Sequence, residues 1–135
     1  MRIGVPKETK THEYRVGLTP ASVTELVARG HEVLVERGAG AGIDFADSQY
    51  ARAGARLVDT AAAFSGELVV KVKEPSLEEC ARLSAGQVLF TYLHLAAAQP
   101  QDGVKQEFIG AGGELLERRR RVAPGLESVA GEQLA

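Results

Sequence analysis

Over residues 1–100, short apolar runs alternate with stretches of helical periodicity. RIGV at 2–5 predicts a strand, and Pro6 ends it because proline offers no ladder N–H. Thr19-Pro20 predicts a helix start: the hydroxyl can cap, and proline suits the first helical position. Val23, Leu26 and Val27 then recur at the i, i+3, i+4 spacing of an apolar helix face. Arg29-Gly30 places a cation and a glycine at its end. HEVLVE at 31–36 alternates apolar and polar residues like a strand, and GAGAG at 38–42 predicts a mobile turn. Asp47 predicts the cap of a helix reaching about Ala53, with a short strand following at 57–58. Asp59 predicts a cap for a further short helix through Phe64. LVVKVK at 68–73 predicts a strand that Pro75 breaks. Ser76 with Glu79 forms a capping box, which predicts a helix carrying Leu77, Cys80 and Leu83 and stopped by Gly86. QVLFTY at 87–92 predicts another strand.

Strands alternating with helices predict an α/β fold: three layers, a mostly parallel β-sheet with helices on both faces, joined by right-handed crossovers. The last third is less regular. Residues 100–103 predict a turn, 105–121 a helix weakened by Gly110, Gly112 and Gly113, and 122–135 at most a weak helix. There is no internal repeat.

Composition narrows the class. The length of 135 residues suits one domain and excludes a nucleotide domain and a substrate domain together. Hydrophobic residues make up 44%, aromatics only 5%, and tryptophan is absent, so valine, leucine and alanine must build the core. Sixteen basic residues against 18 acidic ones give a net charge of −2, which argues against nucleic acid as the main partner. Cys80 stands alone, so no internal disulfide forms and a reducing compartment fits. No apolar run approaches the ~18 residues of a membrane helix, and MRIGVPKE contains no signal-like apolar stretch. The expectation is a cytoplasmic globular domain.

Candidate chemistry follows from the topology. In open parallel sheets, ligands gather beyond the carboxyl ends of the strands. Arg15 lies after the first strand, Lys73 closes LVVKVK, and His94 follows QVLFTY after one leucine. Two cations and an imidazole at one sheet edge suit a small carboxylate. A guanidinium grips a carboxylate with two hydrogen bonds, a lysine polarises a keto oxygen, and a histidine moves a proton near neutral pH. Singly, each is more often a solvated surface or structural residue; their convergence carries the argument. Gly38, Gly40 and Gly42 do not match a dinucleotide loop, because G-x-G-x-G is not G-x-G-x-x-G and Ile43-Asp44-Phe45 follows. The arginines Arg118, Arg119, Arg120 and Arg121 suit a solvated helix end, and Cys80 a core position. His12 and His31 suit a loop and a strand start, and no group of residues shows metal-ligand spacing.

The assembled motifs resemble a known family. GVPKETKTHEYRVGLTP is similar to the amino-terminal signature shared by alanine dehydrogenases and proton-translocating nicotinamide nucleotide transhydrogenases, and GHEVLVERGAGAG continues the likeness. VVKVKEP with LFTYLHLAA resembles alanine dehydrogenases in particular. The likeness covers residues 1–97, with Gly17 standing where alanine is common; 98–135 is expected to be a divergent, partly helical tail. The resemblance implies NAD-dependent, reversible conversion of L-alanine to pyruvate and ammonium. It assigns Arg15 and Lys73 to substrate binding and His94 to protonating the carbinolamine oxygen as water leaves, with Glu74 steadying Lys73. It also implies that NAD binds a domain outside this chain, that the chain alone is inactive, and that family members assemble as hexamers. The alternatives are a non-catalytic keto-acid-binding or interaction module, and the amino-terminal part of a transhydrogenase alpha subunit.

Overall fold

A computed structural model describes residues 1–92 and the backbone of 114–117. The chain runs β1 (Arg2–Val5), α1 (Pro20–Ala28), β2 (Glu32–Glu36), a 3-10 turn (Ala41–Ile43), α2 (Asp47–Arg52), β3 (Arg56–Val58), α3 (Thr60–Ala63), β4 (Leu68–Lys73), α4 (Leu77–Cys80), β5 (Val88–Tyr92) and β6 (Glu114–Glu117). The six strands form one sheet in the order β3-β2-β1-β4-β5-β6, and every pairing is parallel. This is the doubly wound arrangement, with its reversal of strand order between β1 and β4.

Strand alternation divides the core. Register pairs Ile3 with Val33 and Val5 with Val35, so these side chains share one face. There Val5, Val33 and Val35 pack with Val23 of α1 and with Tyr50 and Ala55 from α2 and its end, all buried. Each valine so buried contributes about 1.5–3 kcal/mol. The opposite face holds Gly4 beside Leu34 and Val69. α3 lies directly on β1 there, so close that a Cβ on Gly4 would overlap the Ala63 carbonyl. Further along this face Val69 and Leu89 pack with Phe64 and Leu83. Helices therefore cover both faces, as the alternation predicts.

The local signals account for most boundaries. Thr19 caps α1 by accepting from the Ser22 N–H at 3.2 Å. Asp59 caps α3 by accepting from Ala62 at 2.8 Å. Both arms of the Ser76–Glu79 box are made, at 3.2 and 2.8 Å. Three expectations need correction. Asp47 does not cap α2; Ala46 holds that position, and the Asp47 carboxylate accepts from the Gly38 N–H at 2.8 Å, tying helix to turn. α4 is only four residues long, so Leu77 is 61% exposed and Leu83 reaches the core from the turn after it. Residues 114–117, within the predicted 105–121 helix, form β6 on the edge of β5. Three nearby glycines weaken a helix there, and β5 offers a row of free backbone groups that a parallel strand satisfies.

Candidate functional site

The long connection between β1 and α1, residues 6–19, crosses the carboxyl ends of the strands at the reversal of strand order. Backbone and side-chain anchors fix its path. The Lys7 N–H donates to Glu36 at the end of β2, at 2.8 Å. Glu8 is buried and accepts from the Val72 N–H of β4 at 2.6 Å. Lys71, also fully buried, donates to Glu8 at 3.2 Å and to Glu79 at 3.0 Å. Lys10 pairs with Glu74 at 2.9 Å. His12 turns the chain with φ 61°, in the left-handed region, and the Glu13 N–H closes that turn on the Lys10 carbonyl at 3.1 Å. Val16 then enters the core, and Gly17 lies against the Val70 carbonyl, where a Cβ would stand 2.5 Å from the oxygen. The Tyr50 hydroxyl donates to the Leu18 carbonyl at 2.8 Å; burial pushes that phenol up to about 12.

Burial pushes the Glu8 carboxyl above the ordinary glutamate value, against the pull of Lys71 and of the β4 backbone. An ammonium between two buried carboxylates offsets much of the desolvation cost that each charge would carry alone. Glu8, Lys71 and Glu79 thus join the loop, β4 and α4 beneath the strand ends. Sequence reading missed Lys71 and Glu8 as structural charges. Alternation puts both lysines of LVVKVK on one face, and only tertiary packing and the register break between Val70 and Lys73 give them different surroundings.

Arg15 stands on the far side of this loop, largely exposed. Its Nε donates to Glu13 Oε1 at 2.8 Å and its Nη2 to Glu13 Oε2 at 2.7 Å, a bidentate pair. The Arg15 N–H also donates to Glu13 at 3.0 Å. The Glu13 side chain is 6% exposed, and its carboxyl is held below the ordinary glutamate value by the Arg15 hydrogen bonds, with a smaller attraction to Lys73. Lys73 is half-buried at the end of β4, where the ladder with β5 breaks register between Val70 and Lys73. Such irregularities re-aim side chains. Arg15 thus sits on the loop after β1 and Lys73 at the end of β4, and the residue paired with Arg15 is Glu13, which the sequence argument did not select. Glu74 does not steady Lys73; its ion pair is with Lys10. His94 lies outside the described residues, as do Arg118, Arg119, Arg120 and Arg121. Tyr92, two residues before His94, is level with Lys73 in the sheet register.

These residues do not fit a dinucleotide. The connection after β1 carries Lys7, Glu8, Lys10, Glu13 and Arg15 where a glycine cradle would sit. Two of the glycines at 38–42 serve packing, since a Cβ on Gly40 would stand 2.6 Å from the Phe45 Cβ and one on Gly42 2.9 Å from the Tyr14 Cβ, while Gly38 turns the chain with φ 75°. At the opposite, amino-terminal edge, a shallow concavity lined by Arg2, Glu32 and Glu67 has its polar groups already paired with one another. Among the described residues, no group of three or more acidic, histidine or cysteine residues could hold a metal, and no helix is long and apolar enough to cross a membrane.

The fold is a doubly wound α/β domain with charged side chains, Arg15 and Lys73 among them, on the loop and strand end beyond the sheet's carboxyl edge. The comparisons with known proteins sharpen this. The family model described as alanine dehydrogenase/PNT, N-terminal domain, matches residues 4–131, and the chain belongs to that family. It is 59% identical over 101 residues to an alanine dehydrogenase of Halomonas elongata, covering 73% of this chain and 27% of the relative. It is 47% identical over 121 residues to an alanine dehydrogenase of Geobacillus stearothermophilus, covering 87% and 32%. A solved L-alanine dehydrogenase superposes with a TM-score of 0.81 at 47% identity, covering 87% of this chain and 32% of that one. A transhydrogenase from Sinorhizobium meliloti superposes at 0.78 with 29% identity, covering 87% and 34%. The chain thus spans about a third or less of the length of these proteins. The family match also runs past residue 97, where the recognisable motifs end.

Proposed function

We propose that this chain carries the pyruvate-binding part of an NAD-dependent alanine dehydrogenase, the enzyme that reversibly deaminates L-alanine to pyruvate and ammonium. The observation that supports this reading most is the placement of Arg15 on the loop after β1 and of Lys73 at the end of β4, the two strands that flank the strand reversal. Arg15 holds the substrate carboxylate and Lys73 polarises the keto oxygen. His94, placed by sequence just after β5, gives the proton to the carbinolamine oxygen as water departs. The cofactor is NAD, held by residues other than those described here. The protein is cytoplasmic and assembles as a homo-oligomer.

The test is calorimetric titration of the 135-residue chain with pyruvate. Arg15→Ala and Lys73→Ala should each weaken binding at least tenfold, roughly 1.4 kcal/mol. Binding that survives both substitutions would refute the reading. The likeness to a transhydrogenase structure supports a second reading, the amino-terminal part of a transhydrogenase alpha subunit. That reading requires no keto-acid site, so the absence of pyruvate binding to the folded wild-type chain favours it.

A further inference from the structure

Among the described residues, both hydrogen bonds of the Arg15 side chain go to Glu13, on the same loop. The pair therefore moves with the loop, and its place at the sheet edge is set by whatever ties the loop down. Downstream the tie is steric: Val16 is buried and Gly17 lies against the Val70 carbonyl. Upstream it is electrostatic. The register of β1 with β4 stops after Ile3–Leu68 and Gly4–Val69, and the Val72 N–H donates instead to Glu8 Oε1 at 2.6 Å. Glu8 thus does for β4 what a longer β1 would do. The other Glu8 oxygen accepts from Lys71 Nζ at 3.2 Å, and Lys71 also donates to Glu79 Oε1 at 3.0 Å. The second Glu79 oxygen accepts from the Ser76 N–H at 2.8 Å, so its place is fixed by the start of α4. Lys71 is fully buried, and Glu8 and Glu79 nearly so. In such surroundings the ammonium lets two carboxylates stay charged side by side; without it they repel and one takes up a proton. The loop's other ionic tie to the end of β4, Lys10 to Glu74, has a half-exposed lysine and is screened by water.

We propose that Lys71 is a positioning residue for Arg15: by holding Glu8 against the Val72 N–H it fixes the loop after β1, and with it the guanidinium, at the strand reversal. Lys71 acts through Glu8 and touches no ligand in this role. The proposal rests on the carboxylate-binding reading above and goes beyond it. A planar guanidinium grips a carboxylate with two bonds in one plane, so a displaced loop costs affinity although no ligand contact is deleted.

The experiment uses the full 135-residue chain in wild type, Lys71→Met, Glu8→Gln and the double variant, with two readouts. The first is amide hydrogen exchange without ligand. In wild type the Val72 N–H should be protected as well as the paired amides of β4. In Lys71→Met, exchange at Val72 and Glu13 should rise about tenfold or more, while Val33 and Val35 in β2 keep wild-type protection. The second is titration calorimetry with pyruvate, under conditions where urea curves show each variant folded. Lys71→Met should raise Kd about tenfold or more. A role in stability alone lowers the urea midpoint and leaves Kd of the folded chain unchanged. Because Lys71 and Glu8 act along one route, the double variant should bind within about twofold of Lys71→Met. Losses that multiply overturn that route, and a Kd unmoved in Lys71→Met overturns the proposal while leaving the carboxylate site standing. No pyruvate binding by wild type overturns the carboxylate-binding reading instead, and the exchange readout then still decides whether Lys71 fixes the loop. Wild-type exchange at Val72 as fast as in an unstructured peptide overturns the proposal without any variant, which covers the case of a Lys71→Met chain that does not fold.

Discussion

Two residues of separation in a turn let Glu13 and Arg15 meet side by side, and the pairing shifts both titrations, Glu13 downward and Arg15 upward. Arg15 holds the Glu13 carboxyl below its ordinary value of 4.5. A carboxyl with a depressed folded-state value contributes stability that is complete above the ordinary value and is lost as pH falls through the folded one. Glu8 has the opposite sign. Burial raises it, so its effect on stability becomes less favourable as pH rises from 4.5 to its folded value and is constant above. The two opposing slopes partly cancel in the whole chain, so Glu13 must be isolated by difference. The gap in unfolding free energy between wild type and Glu13→Gln should be constant from pH 7 down to about pH 5 and shrink below 4.5. Urea unfolding at a series of pH values measures it, and a gap that grows on acidification would contradict the pairing.

At the scale of elements, the β1–α3 contact is the most sensitive to a single atom. α3 rests on β1 through Gly4, and a methyl group there would collide with the backbone carbonyl of Ala63 rather than with a flexible side chain. Gly4→Ala should therefore cost about 2–3 kcal/mol, at the upper end for overpacking, with the urea midpoint falling and the slope unchanged. What was legible in the chain divides along this line between local and tertiary causes. Thr19, Asp59 and the Ser76–Glu79 box mark their helix starts because a cap needs only a neighbouring N–H. Arg15 and Lys73 could be placed at one sheet edge because β-α-β order fixes which end of a strand faces the ligand side. Gly4, Lys71 and Glu8 were not legible in the same way, since their environments are made by elements 59 to 64 residues away: Ala63 against Gly4, and Val72 and Lys71 against Glu8. Leu77 misled because a capping box marks where a helix starts and says nothing of how soon α4 stops.

For the molecule as a whole, the strand reversal makes ligand binding and stability one question. β1 and β4 neighbour each other through only two register pairs, Ile3–Leu68 and Gly4–Val69, near their amino ends. Beyond those pairs the strands are joined by the loop after β1, through Glu8 to Val72 and Lys71. On the proposed function, a keto acid held by Arg15 on that loop and by Lys73 on β4 would add a second link across the same gap. Binding to the folded state alone adds stability of RT ln(1 + [L]/Kd), about 1.4 kcal/mol at a tenfold excess over Kd. For a domain of this size that amounts to a rise of a few degrees in Tm. Pyruvate should produce this shift in the wild-type chain and not in Arg15→Ala at the same concentration. NAD should leave Tm unmoved, because the loop after β1 is filled with charged side chains and has no glycine cradle for a pyrophosphate. A shift with NAD comparable to that with pyruvate would place a nucleotide at the strand reversal and displace the keto-acid assignment from it.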